Sequence, residues 1–222
     1  PVGFSALEDG GRKEKEQRSL EKRYADVIVK ISGDRLDRSF QYLIPEELRA
    51  LSFIRYYILS NGATVYDTAE ERTLYRGDIP LELTLQVMDY LDAQPVLYDC
   101  YQDDVGWMSQ TMYERAPEFF REEPEILKLV ERLRIRVPDL KQTLREHNKP
   151  VQKIQFYFRP EDNARRLDTI AHFSEVFPEL SATSSTSNNV ELNSVRAGKG
   201  NGLLALCEVL GIPPEACMSF GD

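Results

Sequence analysis

The stretch Glu191–Asp222 reads ELNSVRAGKGNGLLALCEVLGIPPEACMSFGD. It divides into a short strand, a tight glycine turn carrying Lys199, a helix, a glycine stop and a second strand ending on an acid. Leu203, Leu204, Leu206, Cys207 and Leu210 recur at helical spacing. Gly211 stands where a helix C-terminus favours a residue without a Cβ, and Pro213 and Pro214 follow it. Ala216–Phe220 is a short apolar run, expected as a strand, before Gly221-Asp222. In an open α/β sheet an acid just past a strand lies at the carboxyl end, where such folds place ligands. Lys199 reads either as a phosphate holder at a helix N-terminus, whose free N–H groups favour anions, or as a solvated lysine.

Earlier segments supply the rest of such a sheet. Ala25–Ile31 (ADVIVKI) is β-branched and nearly continuous, as a buried parallel strand should be. It runs into Ser32-Gly33-Asp34-Arg35, which reads either as a phosphoryl-binding turn or as a plain hydrogen-bonded turn. Leu36–Leu51 has a helical pattern broken near Pro45. Tyr56–Leu59 (YYIL) is a second short buried strand, ending in the Asn61-Gly62 turn signal. Thr64–Tyr66 and Thr73–Tyr75 read as a hairpin about residues 67–72.

Beyond residue 78 the pattern changes. Helices are expected at 80–91, 123–133, 138–147 and 161–176. Alternating strands are expected at 95–101, 106–109, 151–158, 180–183 and 189–192. This mixture predicts a separate α+β unit inserted into the α/β core. Tyr98, Tyr101, Trp107, Phe156, Tyr157 and Phe158 are its aromatics; most read as core packing, with one or two left to line a ligand face.

Composition narrows the function. The chain has 222 residues and 41% hydrophobic residues, ordinary for a globular protein, with no run of about 18 apolar residues. A formal charge of -9 disfavours non-specific nucleic-acid binding. Cys100, Cys207 and Cys217 show no CxxC pair and suggest a reducing compartment, without a disulfide framework or zinc site. His147 and His172 are isolated and read as surface or core histidines. Arg12–Arg23 reads as an exposed helix or a loose terminus.

With Ser32-Gly33-Asp34-Arg35, Asn61-Gly62-Ala63, Lys199-Gly200 and Phe220-Gly221-Asp222 in this order, the chain resembles the haloacid-dehalogenase superfamily, in particular its Cof-type phosphatases. The resemblance implies an α/β fold: a Rossmann-like core with a parallel sheet, formed by residues 1–78 and 184–222, and an inserted α+β cap at 79–183. It implies magnesium-dependent hydrolysis of a small phosphorylated metabolite, such as a sugar phosphate, through an aspartyl-phosphate. Ser32 would hydrogen-bond the transferring phosphoryl group, Lys199 would neutralise it, and Gly33, Arg35 and Asn61 would bind substrate. Asp222 would hold Mg2+. A cytoplasmic monomer or weak homodimer is implied, with neither nucleic acid nor membrane as partner.

Three departures qualify the match. The family's opening Asp-x-Asp-Gly-Thr is absent, and the nearest candidate, Leu7-Glu8-Asp9-Gly10, places leucine at the nucleophile and Asp9 at the acid/base. Asp34 stands where the serine motif expects arginine. The chain stops at Asp222, inside the closing motif. The sequence is therefore expected to be an incomplete copy, inactive as it stands. The alternative is a non-catalytic phosphate-ligand module.

Overall fold

The computed structural model describes residues 28–31 and 54–218, the former as backbone only. The expected sites Asp9, Ser32, Gly33, Arg35 and Asp222, and the expected helix at 36–51, lie outside them.

The first sheet has four strands in the order β1-β2-β3-β4, comprising Ile28–Ile31, Ile54–Leu59, Thr64–Asp67 and Arg72–Arg76. β1 and β2 are parallel, with Ile31 opposite Ile58, so both strands point their carboxyl ends the same way. β3 and β4 form the expected antiparallel hairpin. Helix α6 (Lys199–Leu210) covers this sheet, packing Leu206 against Tyr56, Ile58 and Val65. It ends as its sequence predicts, on Gly211 in the left-handed region at φ 65°.

The second sheet has six strands in the order β7-β6-β5-β8-β10-β9. They span Leu97–Gln102 (β5), Val105–Ser109 (β6), Arg134–Val137 (β7), Lys153–Tyr157 (β8), Leu180–Thr183 (β9) and Asn189–Ser194 (β10). Helices α1 (Leu81–Asp92), α4 (Leu140–His147) and α5 (Arg166–Val176) pack on one face. Period-two alternation sends Tyr98, Cys100, Ile154, Phe156, Val190 and Leu192 into that core, where they meet Met88, Leu144 and Phe173. A smaller cluster joins Leu97, Met108 and Tyr157 to α2 (Gln110–Phe119) and α3 (Pro124–Leu133).

Several expectations are corrected. The run 216–220 was expected as a strand parallel to β1 and β2. In its described part Pro214–Ala216 form a 3-10 turn and Cys217 and Met218 carry no strand, while residues 219 and 220 lie outside the described residues. Pro214, fixed near helical φ at the first position, starts that turn. The inserted unit was bounded at 183, yet Asn189–Ser194 pairs with both β8 and β9. Backbone hydrogen bonding thus holds the second sheet together through Ser194. Helix α2 and strand β7 were not anticipated. Pro117 inside α2 masks a helix that starts on Ser109, whose Oγ accepts the Met112 N–H at 3.2 Å. β7 reads RIRV, and its Arg134 is buried against expectation for an arginine.

The two connections between the sheets run side by side. Tyr75 donates its hydroxyl to the Arg196 carbonyl at 3.0 Å. A Cβ on Gly77 would stand 3.2 Å from the Ala197 nitrogen.

Candidate functional site: a polar chamber beneath the Asn61-Gly62 turn

The turn after β2 carries three residues of positive φ: Ser60 at 51°, Asn61 at 59° and Gly62 at 95°. Asparagine and glycine tolerate this region, so the Asn-Gly signal is satisfied by the backbone itself. A Cβ on Gly62 would lie 2.1 Å from the Gly198 carbonyl oxygen and 2.8 Å from the Lys199 nitrogen. The turn and the start of α6 therefore touch backbone to backbone. Two distant sequence motifs, Asn61-Gly62 and Lys199-Gly200, meet at one point. Lys199 is exposed there as the first residue of its helix, and Gly198 at the N-cap has no side chain to cap the first turn. Such an end can receive an anion.

Asn61 faces the second sheet. Its Nδ2 donates to Glu191 Oε2 at 2.7 Å and to Asn193 Oδ1 at 3.2 Å. Asn193 in turn donates to the Gln152 carbonyl at 3.0 Å and to the Ser60 carbonyl at 3.4 Å.

The same alternation that fills the helix-covered core gives the sheet's other face a polar set. Asp99, Gln155 and Glu191 are cross-strand neighbours in one row, and Tyr101 opposes Lys153 in the next. All five are buried. Arg134 reaches in from β7, its Nε donating to Asp99 Oδ2 at 2.8 Å and its guanidinium 4.8 Å from the Tyr101 ring centre. Gln155 donates to Glu191 Oε1 at 2.8 Å, and Ser185 Oγ to the same oxygen at 2.6 Å. Lys153 Nζ lies 3.4 Å from Glu191 Oε2 and 5.1 Å from the Tyr101 ring centre. Tyr101, Arg134, Lys153, Gln155 and Glu191, together with the apolar Ile126, Leu129 and Val130 of α3, line an open cavity of about 300 Å³ with Asn61 at its wall, at the small end of the range for ligand sites.

Two buried cations and two buried carboxylates balance here, as burial of charge requires. Burial holds the Lys153 ammonium below the usual lysine range, although Glu191 and Asp99 oppose this. For Glu191, burial alone would push the carboxyl up. Lys153 and hydrogen bonds from Ser185, Asn61 and Gln155 outweigh it and hold the carboxyl below its ordinary value. A carboxylate with a depressed folded pKa contributes stability that is complete above its unfolded pKa of about 4.3 and is lost as pH falls through the folded value. The melting-temperature gap between the unsubstituted protein and Glu191→Gln should therefore be widest near neutrality and narrow below about pH 4. Thermal unfolding monitored by circular dichroism across pH checks this; a gap constant in pH would refute it.

Of the aromatics named from sequence, Tyr101 and Tyr157 line this chamber. Phe156 and Phe158 belong to the opposite core, and Tyr98 donates to Asp92 at 2.7 Å. Lys153, Arg134 and Glu191 went unrecognised. The available signal was alternation: K-I-Q-F-Y and N-V-E-L-N each place polar residues on one face. Among the described residues, no group of three or more His, Cys, Asp or Glu side chains stands close enough to hold a metal. No described helix is long and apolar enough to cross a membrane.

An α/β sheet joined through two adjacent connections to an α+β unit, with a polar chamber where they meet, defines the architectural class. The profile of the haloacid dehalogenase-like hydrolases matches residues 12–222. The chain belongs to that family. Solved structures agree on the fold. A haloacid dehalogenase-like hydrolase from B. subtilis superposes at TM-score 0.62 with 22% identity, covering 93% of this chain and 74% of that one. The protein TM0651 from Thermotoga maritima gives TM-score 0.62 and 24% identity, covering 89% and 68%. The subclass IIB sugar phosphatase BT4131 gives TM-score 0.58 and 16% identity, covering 91% and 70%. Comparison with curated proteins finds no match.

Proposed function

We propose that this chain carries the substrate-binding apparatus of a magnesium-dependent phosphatase for a small phosphorylated metabolite, a sugar phosphate being the type substrate. The observation that carries the reading is the contact of the Asn61-Gly62 turn with the start of the Lys199 helix, directly beside the buried polar chamber. Lys199 and the uncapped first turn neutralise a phosphoryl group at the mouth. Ser32, which follows β1 in sequence, donates a hydrogen bond to the same group. The α+β unit serves as the cap, and its chamber takes the leaving group. Lys153 donates to hydroxyls there, and the ring faces of Tyr101 and Tyr157 supply apolar contact. A sugar phosphatase among the structural relatives supports this choice. Asp222 is the proposed ligand for Mg2+, which when bound supplies charge neutralisation to the phosphoryl oxygens.

A second reading rests on a sequence fact. Residues 1–222 contain no Asp-x-Asp-Gly-Thr; aligned on Asp9-Gly10, Leu7 would fall at the nucleophile. A phosphate-ligand module without turnover has the same pocket. Hydrolysis needs one carboxylate to attack phosphorus and another to protonate the leaving oxygen and then activate water. The polypeptide 1–222 is therefore expected to bind phosphate without hydrolysing an aryl phosphate above background in Mg2+. Calorimetric titration with inorganic phosphate should show binding weakened about tenfold or more in Lys199→Met. Equal affinity in the two proteins would remove Lys199 from the site. Robust turnover abolished by Asp9→Asn would instead place the catalytic acid at Asp9.

A further inference from the structure

Cys207 and Cys217 bring their sulfurs to 3.2 Å. Cys207 is buried in the last turn of α6, and Cys217 is half-buried just after the Pro214–Ala216 turn. Two chain reversals produce the approach. Ile212 N–H donates to the Cys207 carbonyl at 2.9 Å, and Cys217 N–H to the Pro214 carbonyl at 3.0 Å. We infer that this pair is a reversible dithiol–disulfide site, oxidised by low-molecular-weight disulfides such as oxidised glutathione. The inference does not depend on phosphatase activity.

A disulfide requires the sulfurs to close to about 2.05 Å. The connecting residues Glu208, Val209, Gly211, Pro213, Pro214, Glu215 and Ala216 are exposed, so the segment can shift without opening a core. Burial, reinforced by the hydrogen bond with Cys217, pushes the Cys207 thiol up to about 11. Cys207 is thus a poor first nucleophile, and the more accessible Cys217 reacts first. Its thiolate attacks the small disulfide, forming a mixed disulfide and releasing one small thiol. Cys207 then loses its proton to water and attacks the Cys217 sulfur, expelling the second small thiol. Two protein thiols are oxidised to one disulfide, and one small disulfide is reduced to two thiols. Cys100 is buried in the second sheet with its thiol pushed well up by burial, and so serves as an internal control.

The bond would join the end of the helix that presents Lys199 to the segment five residues ahead of Asp222.

The test treats the full native chain with oxidised glutathione, alkylates remaining thiols and maps tryptic peptides. No Lys or Arg lies between Lys199 and Asp222, so the tryptic peptide that begins at Gly200 holds both cysteines. The expected product is this peptide lighter by two hydrogens, free of glutathione, with Cys100 alkylated and full reversal by dithiothreitol. Cys207→Ser should accumulate a stable glutathione adduct on Cys217, and Cys217→Ser should leave Cys207 unmodified. A persistent glutathione adduct on the unsubstituted chain would overturn the inference. So would a native pair that stays reduced where the unfolded chain crosslinks.

Discussion

Gly62→Ala should destabilise the protein by about 3–5 kcal/mol, near the upper end for a single methyl group. Two effects combine. Gly62 holds φ at 95°, a region that a Cβ disfavours. The added carbon would also stand 2.1 Å from the Gly198 carbonyl oxygen, and that neighbour is backbone with no rotamer to yield. The turn and helix α6 must separate, taking Leu206 out of its contacts with Tyr56, Ile58 and Val65. Gly200→Ala is the matched control. A Cβ there meets nothing within 4 Å, and the residue lies inside a helix. It should be neutral or stabilising by up to about 1 kcal/mol. Urea unfolding of the three proteins decides the matter; coincident midpoints for the unsubstituted protein and Gly62→Ala would refute the close approach.

Arg134→Met carries the second large effect, a loss of about 3–5 kcal/mol, because it strands the buried Asp99 carboxylate without its cation. The pair is nearly inaccessible, with side-chain exposures of 4% for Arg134 and 0% for Asp99. Asp99→Leu alone should cost a similar amount by leaving the guanidinium unpaired. Joined in one protein, the two changes should recover most of the loss, since two apolar groups have no desolvation penalty to offset. A double-mutant cycle by chemical denaturation reads the coupling directly. Additive losses would mean that Arg134 is held by Gln155 and Tyr157 rather than by Asp99.

These residues show where sequence reading succeeds and where it stops. YYIL, the Asn-Gly turn, the hairpin after it and the α6 helix with its Gly211 stop were all legible, because each is governed by neighbours within a few positions. Alternation in β5, β8 and β10 was also visible. What it meant was not. Lys153, Arg134 and Glu191 look like surface residues in isolation, and become interior only because strands distant in sequence line up to satisfy one another. The cap boundary at 183 that the family resemblance implied stopped short of β10, whose partners Gln155 and Ser181 are chosen by register. Helix α2 was hidden by a proline that its last turn accommodates. At the candidate site, Asn61 and Lys199 were found by motif, whereas the chamber they border emerged only from sheet pairing.

The adjacent crossings at Tyr75–Gly77 and Arg196–Ala197 bear on how the molecule comes together. Asn61 and Asn193 are 132 residues apart, a separation that ordinarily slows folding through the entropy of closing the loop. The six-stranded unit is contiguous in sequence, so it can form before α6 reaches the first sheet. Once formed, it holds its own two ends together, and the effective loop shrinks to a few residues. The inserted unit thereby acts as a template for late docking of the Lys199 helix. Insertions in its distant surface loops should leave the rate of that docking unchanged, while loosening its two roots should slow it.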